Sequence, residues 1–239
     1  MSRSAPRSTT ARRKPRSGAE PARGALRRRA TRAQLLDAAF HLMAERGADG
    51  VTIKEITDTA DVGFGSFYNH FESKQAIHAA VIEREYAAHA DALDRLVADV
   101  DDVAEVVAIA VRHTLERAGR EPVWGRFLVR EGFSSASLSD GLGARFLRDV
   151  QRGLACRRFT CDDPLAAFLL GAGGVLAAAA VALLAEAPPP ALTALDAHGA
   201  TLPERTAAAL LRVLGLPASE AAEIARRPLP RVADEEPAL

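Results

Sequence analysis

Between positions 61 and 74 the chain reads DVGFGSFYNHFESK. The whole chain holds nine Phe, two Tyr and one Trp, yet Phe64, Phe67, Tyr68 and Phe71 fall within eight residues of one another. Phe67 and Phe71 stand four apart, on one helical face, and read as core. Phe64 and Tyr68 lie on the other side, because burying all four would leave that helix no wet face. The side chains around them suit a DNA groove. Phe64 can touch a thymine methyl, Asn69 can pair with an adenine edge, and Ser66 can bond a base or a phosphate. Gly65 lets a backbone approach closely. Tyr68, His70 and Lys74 can bind phosphates, and the free N–H groups of a helix capped by Ser73 favour an anion there. Thr52 offers the same at an earlier helix start, where Lys54 can reach a base or a phosphate. Phosphate contacts fix register, and base contacts read sequence.

Catalytic chemistry finds no comparable constellation. The sequence carries no evident nucleophile–base pair or metal-ligand spacing, and the GAGG at 171–174 sits in an apolar helical run with no strand before it. The expectation is therefore a protein that is not an enzyme, with no catalytic residue, metal or cofactor. Cys156 and Cys161 are too few for a disulfide framework and match no zinc spacing. A reducing cytoplasm is the expected compartment. The neighbouring Arg157 and Arg158 can activate the Cys156 thiol; the plainer reading is two small residues near a helix end.

Charge points the same way as the groove chemistry. The chain has 31 Lys and Arg against 31 Asp and Glu, a formal net charge of zero. Residues 1–32 nevertheless carry eleven of the bases and a single acid, Glu20. Such asymmetry suggests a basic arm for a polyanion. Pro6, Pro15, Gly18 and Pro21 argue against one amphipathic transit helix, and no apolar core follows the arginines as a secretory signal requires. Residues 1–30 are expected to be a disordered basic arm.

These side chains need elements to hold them, and every periodic stretch reads as helix. The first is expected to open at Thr31, with Gln34 completing a capping box, and to stop at Gly47. Its stripe is Leu35, Leu36, Ala39, Phe40 and Met43. A second short helix starts at Thr52, in a capping box with Glu55, and ends near Ala60. A third spans 64–70, and Ser73 caps a long fourth reaching about Asp99. Further helices are expected at 103–117, 122–131, 138–157, 164–186, 202–214 and 218–226. Asp163 caps one of these, and Thr201 with Glu204 forms a third box. Residues 187–200 read as a linker and 228–239 as a disordered acidic tail. Two short helices joined by a four-residue turn make a helix-turn-helix, whose second helix enters the major groove. Ile56, Ala60, Val62, Phe67 and Phe71 would form its core with Leu36, Phe40 and Met43.

The stretch TIKEITDTADVGFGSFYNHFESKQAIHAAV, with RAQLLDAAFHLMAERGADG before it, resembles the DNA-binding signature of TetR-family transcriptional regulators. The resemblance covers about 50 residues, 31–82, and its G-x-x-Y-x-H-F-x-x-K order is dense. It implies an all-α fold: a helix-turn-helix domain at 31–75, and a ligand-binding and dimerisation bundle at 76–227. It implies phosphate contacts from Thr52, Tyr68 and Lys74, and base contacts from Lys54, Phe64, Gly65 and Asn69. Three positions depart from the pattern. Asp61 stands where glycine is frequent in the turn, and tolerates a left-handed backbone better than most residues. Thr57 replaces a small alanine, and Gly63 is a weaker cap than serine.

The same resemblance implies a repressor that leaves a near-palindromic duplex operator when an apolar small-molecule inducer binds. The candidate pocket walls are His113, Trp124, Phe127, Phe146 and Phe168, each of which also reads as core. Homodimerisation would run through Gly171, Gly174 and Ala178 against Leu210, Leu211 and Leu214. The uncharged run 165–185 is long enough to span a bilayer. Its alanine-rich composition and acidic flanks favour a soluble bundle helix and no membrane. A membrane-anchored or purely structural helical protein is the alternative.

Overall fold

Leu35, Leu36, Ala39 and Met43 recur at helical spacing, and in this computed structural model they line the inner face of helix α1, Ala19–Arg46. The structure describes residues 19–184, 189–195 and 201–230, and all regular structure among them is helical. After α1 come α2 (Ile53–Thr59), α3 (Phe64–Phe67), α4 (Lys74–Leu96), α5 (Val103–Arg120), α6 (Pro122–Glu131) and α7 (Ser135–Asp140). They are followed by α8 (Leu142–Ala155), α9 (Pro164–Ala182), α10 (Pro190–Thr193), α11 (Leu202–Val213) and α12 (Ala218–Ala225).

The first helix begins twelve residues earlier than its apolar stripe suggests. Thr31 is interior to α1, so it caps nothing, and the capping box with Gln34 does not form. Residues 19–30 are helical rather than a disordered arm; residues 1–18 lie outside the described part. The physical reason is local: Pro21 falls in the first turn, where proline is tolerated, and Ala25, Leu26, Arg27, Arg28, Arg29 and Ala30 are good helix formers. At its other end α1 stops as expected. Gly47 has φ 73 and donates its N–H to the Met43 carbonyl at 2.8 Å. A left-handed residue closes the helix there, and glycine carries no Cβ penalty.

The three-helix head is built around Leu36, Met43, Ile56, Phe67, Phe71 and Ile77, all buried, with Phe40 and Val62 packed against them. Asp61 takes φ 52, the left-handed conformation that the turn between α2 and α3 requires. Buried Thr57 satisfies its hydroxyl by donating to the Lys54 carbonyl at 2.9 Å. Helix α3 is shorter than the 64–70 expected. After Phe67 the chain tightens, with Asn69 and His70 N–H groups bonded three residues back to Ser66 and Phe67.

In the bundle α5 is central, packing on α6, α8, α9, α11 and α12. One helix expected at 138–157 is two, because Gly141 adopts an extended backbone between α7 and α8. Asp163 caps α9 by accepting from the Ala166 N–H at 3.0 Å, whereas Thr201 makes no side-chain cap. Residues 190–193 of the expected linker form α10. Residues 228–230 are ordered against α5, where His113 Nε2 donates to the Pro230 carbonyl at 2.8 Å; the rest of the expected tail lies outside the described residues. Arg158 binds both oxygens of Asp102 at 2.9 Å and reaches Glu220 at 2.7 Å, fastening the start of α5 to α12.

Helix α9 is long and apolar enough to cross a membrane by length and composition. It nevertheless packs on α5, α6, α8 and α11 through Ala167, Phe168, Gly171, Ala178 and Ala179. Its opposite side, with Leu165, Leu169, Leu170, Gly174 and Ala177, faces outward. This splits the six residues expected at a dimer interface. Gly174 is exposed, but Gly171, Ala178, Leu210, Leu211 and Leu214 are buried inside the protomer. A methyl added to Gly171 would come 2.4 Å from Leu210 Cδ1 of the same chain. The small residues of α9 on that side serve its contact with α11.

Candidate nucleic-acid interface and effector cavity

The α2–α3 unit sorts its side chains into two sets. Phe67 is fully buried, while Phe64 is 52% and Tyr68 53% exposed, their rings packed edge to face at 5.8 Å. Exposing two such rings is costly in water and marks a contact surface. Gly65 beside them is exposed, with nothing within 4 Å of where a Cβ would stand. Ser66, Asn69 and His70 continue that face, partly or fully exposed.

Thr52 sits at the exposed start of α2 in a complete capping box. Its hydroxyl accepts from the Glu55 N–H at 3.2 Å, while Glu55 accepts from the Thr52 N–H at 2.8 Å. Arg46, at 2.6 Å, and Thr52 together hold the Glu55 carboxyl at about 2. Lys54 is exposed and paired with Asp58 at 2.5 Å; such surface pairs hold weakly and can be exchanged for a phosphate.

Two expected phosphate ligands sit differently from the sequence reading. Lys74 Nζ donates to the Ala48 carbonyl at 3.0 Å, so it first closes the turn after α1. His70 is pushed below its ordinary value by partial burial, then by Arg28 and Arg32. It is neutral at pH 7 and offers a hydrogen bond rather than a charge. The sequence places those two arginines only among the bases of residues 1–32, expected to meet a polyanion. Arg28 Nη2 donates to the Asn69 carbonyl at 3.1 Å, and Arg32 lies 5.0 Å over the Phe71 ring. Only a helical N-terminal segment brings them there.

Behind the head, α6 grips α1. Arg130 donates to the Ala44 and Glu45 carbonyls at 3.0 and 2.8 Å. His78 of α4 lies 2.9 Å from Glu131, and that hydrogen bond, against the opposing effect of burial, holds the carboxyl below its usual range. Neither contact has a sequence signal, since 53 and more residues separate the partners.

A cavity of about 120 Å³ lies between α4, α5, α6, α8 and α9. Leu93, Val107, Val111, Leu128, Phe146 and Leu176 are among its apolar walls. One side is charged: Arg145 pairs with Asp94 and with Asp91 at 2.9 Å, and Arg148 reaches Asp94 at 3.2 Å and Asp149 at 3.1 Å. Burial raises the Asp149 carboxyl, and Arg148 counters it. Ser137 also lines the cavity, and its buried hydroxyl has no hydrogen-bond partner among the described residues. Of the five expected pocket walls only Phe146 is there. Phe168 stacks on it from behind at 5.5 Å, Trp124 and Phe127 fill the core beside Tyr86, and His113 holds Pro230. Large aromatics are good core fillers, and the charged lining comes from α4 and α8, which the sequence did not single out.

Comparison with known proteins agrees with both regions. Residues 35–81 match the family described as bacterial regulatory proteins, tetR family, and residues 102–227 match the tetracyclin repressor-like C-terminal domain. The transcriptional repressor NemR of Escherichia coli K12 is 42% identical over 66 residues, 28% of this chain and 33% of that protein. The repressor DhaR of a Mycobacterium species is 42% identical over 52 residues, 22% of this chain and 26% of that one. The chain thus matches about a third or less of the length of these curated relatives. The crystal structure of RolR in complex with resorcinol is 37% identical, with a TM-score of 0.63, over 87% of this chain and all of that one. With its head and its bundle both matched, the chain belongs to the tetR family of bacterial regulatory proteins.

Proposed function

We propose that this protein is a homodimeric transcriptional repressor that holds a near-palindromic operator through α2 and α3 and releases it when a hydroxylated single-ring aromatic enters the cavity. The observation that carries the DNA reading is the outward pair Phe64 and Tyr68, flanked by Gly65, Ser66 and Asn69 on the helix that follows the turn. Thr52 and Tyr68 bind phosphates, and Lys54, Phe64, Gly65 and Asn69 meet base edges. Residues 31–75 act as the head and 76–227 as the sensing and pairing bundle. Such a regulator works in the cytoplasm, on the chromosome.

The cavity supports the ligand class. An engineered apolar cavity of about 150 Å³ holds one benzene, and this one is about 120 Å³. Apolar walls suit the ring. The Asp94, Arg145, Arg148 and Asp149 cluster and the unpartnered Ser137 hydroxyl suit ring hydroxyls. RolR, the relative that matches over its full length, was crystallised with resorcinol, a ring with two hydroxyls.

A ligand shifts DNA binding only by preferring a conformation with misplaced heads. The cavity touches α4 through Leu93 and Asp94 and α6 through Leu128 and Gly132. The first of these helices starts directly behind the head, and the second holds α1 through Arg130.

The test is fluorescence anisotropy on a duplex selected from a random pool, titrated with resorcinol. Release is expected for the wild type, with Asp149→Asn and Ser137→Ala binding DNA normally but needing at least several-fold more ligand. Absence of any duplex selected above background overturns the regulator reading. Release unaffected by both substitutions overturns the cavity assignment.

A further inference from the structure

Alongside the reading face runs a second feature. The N-terminal turns of α1 extend past the core, and Arg27, Arg28 and Arg29 are all exposed on them. Between these turns and the end of α3 lies a groove lined by Gly24, Arg27, Arg28, Thr31, Ser66, Asn69 and His70. Among the described residues, none that lines it is a carboxylate. One Arg28 nitrogen is spent on the Asn69 carbonyl at 3.1 Å, which fixes the guanidinium against α3. An arginine has five N–H donors, so the remaining ones stay available. Gly24 leaves the far end open, with nothing within 4 Å of a Cβ built there.

We infer that this groove holds a DNA backbone phosphate flanking the bases that α3 reads, with Arg27 and Arg28 as its cationic wall. The inference rests on the DNA-binding function proposed above and adds to it a contact made by the helical N-terminal extension. Three features favour duplex DNA as the occupant. The groove shares Ser66 and Asn69 with the reading face, its described lining presents two guanidinium groups, and duplex DNA presents one charge per ~1.7 Å of its axis. A fixed guanidinium also gives an oriented fork, which matches phosphate oxygens better than a mobile side chain does.

Salt dependence tests it, because a residue that merely shapes α3 changes affinity and leaves the salt slope alone. The full chain is titrated with its selected duplex at several salt concentrations. The Arg27→Gln, Arg28→Gln double variant is expected to lower the slope of log K against log salt by about 0.9 per lost phosphate contact, hence about 1.8 for two heads. Base preference should not change. Arg29→Gln, on the other flank of the helix, is expected to keep the wild-type slope, and Arg28→Lys to keep most of it. A wild-type slope in the double variant overturns the inference, as does an equal fall in Arg29→Gln, which would mean diffuse charge. A double variant that loses affinity at an unchanged slope would mean that Arg28 acts through Asn69 alone, and the phosphate site is then rejected. Each of these leaves the function standing if the substitutions Tyr68→Ala and Lys54→Ala, measured on the same duplex, lose operator, whereas a wild type that binds no duplex removes both.

Discussion

Phe64 and Phe67 are three positions apart and chemically identical, yet they serve opposite purposes. Phe67 loses all contact with water against Ile56 and Phe71, so Phe67→Ala should cost about 3–5 kcal/mol of stability. Phe64→Ala should leave the melting temperature nearly unchanged and weaken operator binding by tenfold or more. Thermal unfolding and anisotropy on the two variants check both halves; equal melting temperatures would contradict the two-faced arrangement. Glu55 offers a second residue-scale test. Its folded value, about 2, is depressed below the ordinary 4.5 by Arg46 and Thr52. A depressed carboxylate adds stability that is fully present above its unfolded value and is lost as pH falls through the folded one. The wild type should therefore exceed Glu55→Gln in stability at pH 6, and the gap should close between about 4.5 and about 2. Acid titration followed by circular dichroism measures it, and a gap independent of pH would assign the effect to shape instead of charge.

At the scale of elements, α4 and α6 both touch the head and the cavity, and α6 does so through side chains that grip its neighbours. Leu128 and Gly132 border the cavity, and Arg130 and Glu131 hold the end of α1 and the start of α4. Rigid helices transmit a displacement at one face to contacts on another, provided those contacts have two discrete arrangements. Arg130→Ala should leave ligand affinity within about twofold and raise the ligand concentration needed to release DNA. Calorimetry for the first and anisotropy for the second separate coupling from binding, and release as efficient as the wild type would remove α6 from the path. The turn between α2 and α3 shows how much of an element is local. Asp61 supplies the left-handed residue, Gly63 starts α3 without a side-chain cap, and the Val62 N–H returns to the Thr57 carbonyl at 3.0 Å. The sequence foretold the roles of Asp61 and Gly63, but neither the Val62 hydrogen bond nor the early end of α3.

For the whole molecule, the proposed homodimer requires two heads about one duplex turn apart. The outer face of α9 is the natural pairing surface: Leu170 is 65% exposed, with Leu165, Leu169 and Ala177 beside it and Val213 of α11 nearby in the same layer of the bundle. An uncovered apolar stripe of this kind is a poor surface for a monomer. Leu169→Glu with Leu170→Glu should yield folded monomers by sedimentation and lower operator affinity by orders of magnitude, with half-site binding left weak. Leu211→Glu should instead unfold the protomer, since Leu211 lies wholly within it. A dimer that survives the α9 pair would move the interface elsewhere.

Local physics in the sequence decided the helices, the caps at Thr52, Ser73 and Asp163, the left-handed turn, and which aromatic residues of 64–71 face outward. All of these depend on residues within about five positions of one another, where period and propensity act directly. The head was legible for that reason. The cavity, the grip of α6 on α1 and the placing of Arg28 against Asn69 depend on partners 41 or more residues away. No spacing rule reaches that far. Aromatic size pointed to Trp124, Phe127 and Phe168 as ligand walls, but packing used them as filling. Packing likewise turned Gly171, Leu210 and Leu214 inward and left Leu165, Leu169 and Leu170 of α9 exposed, because an all-apolar helix has no periodicity to say which face is which.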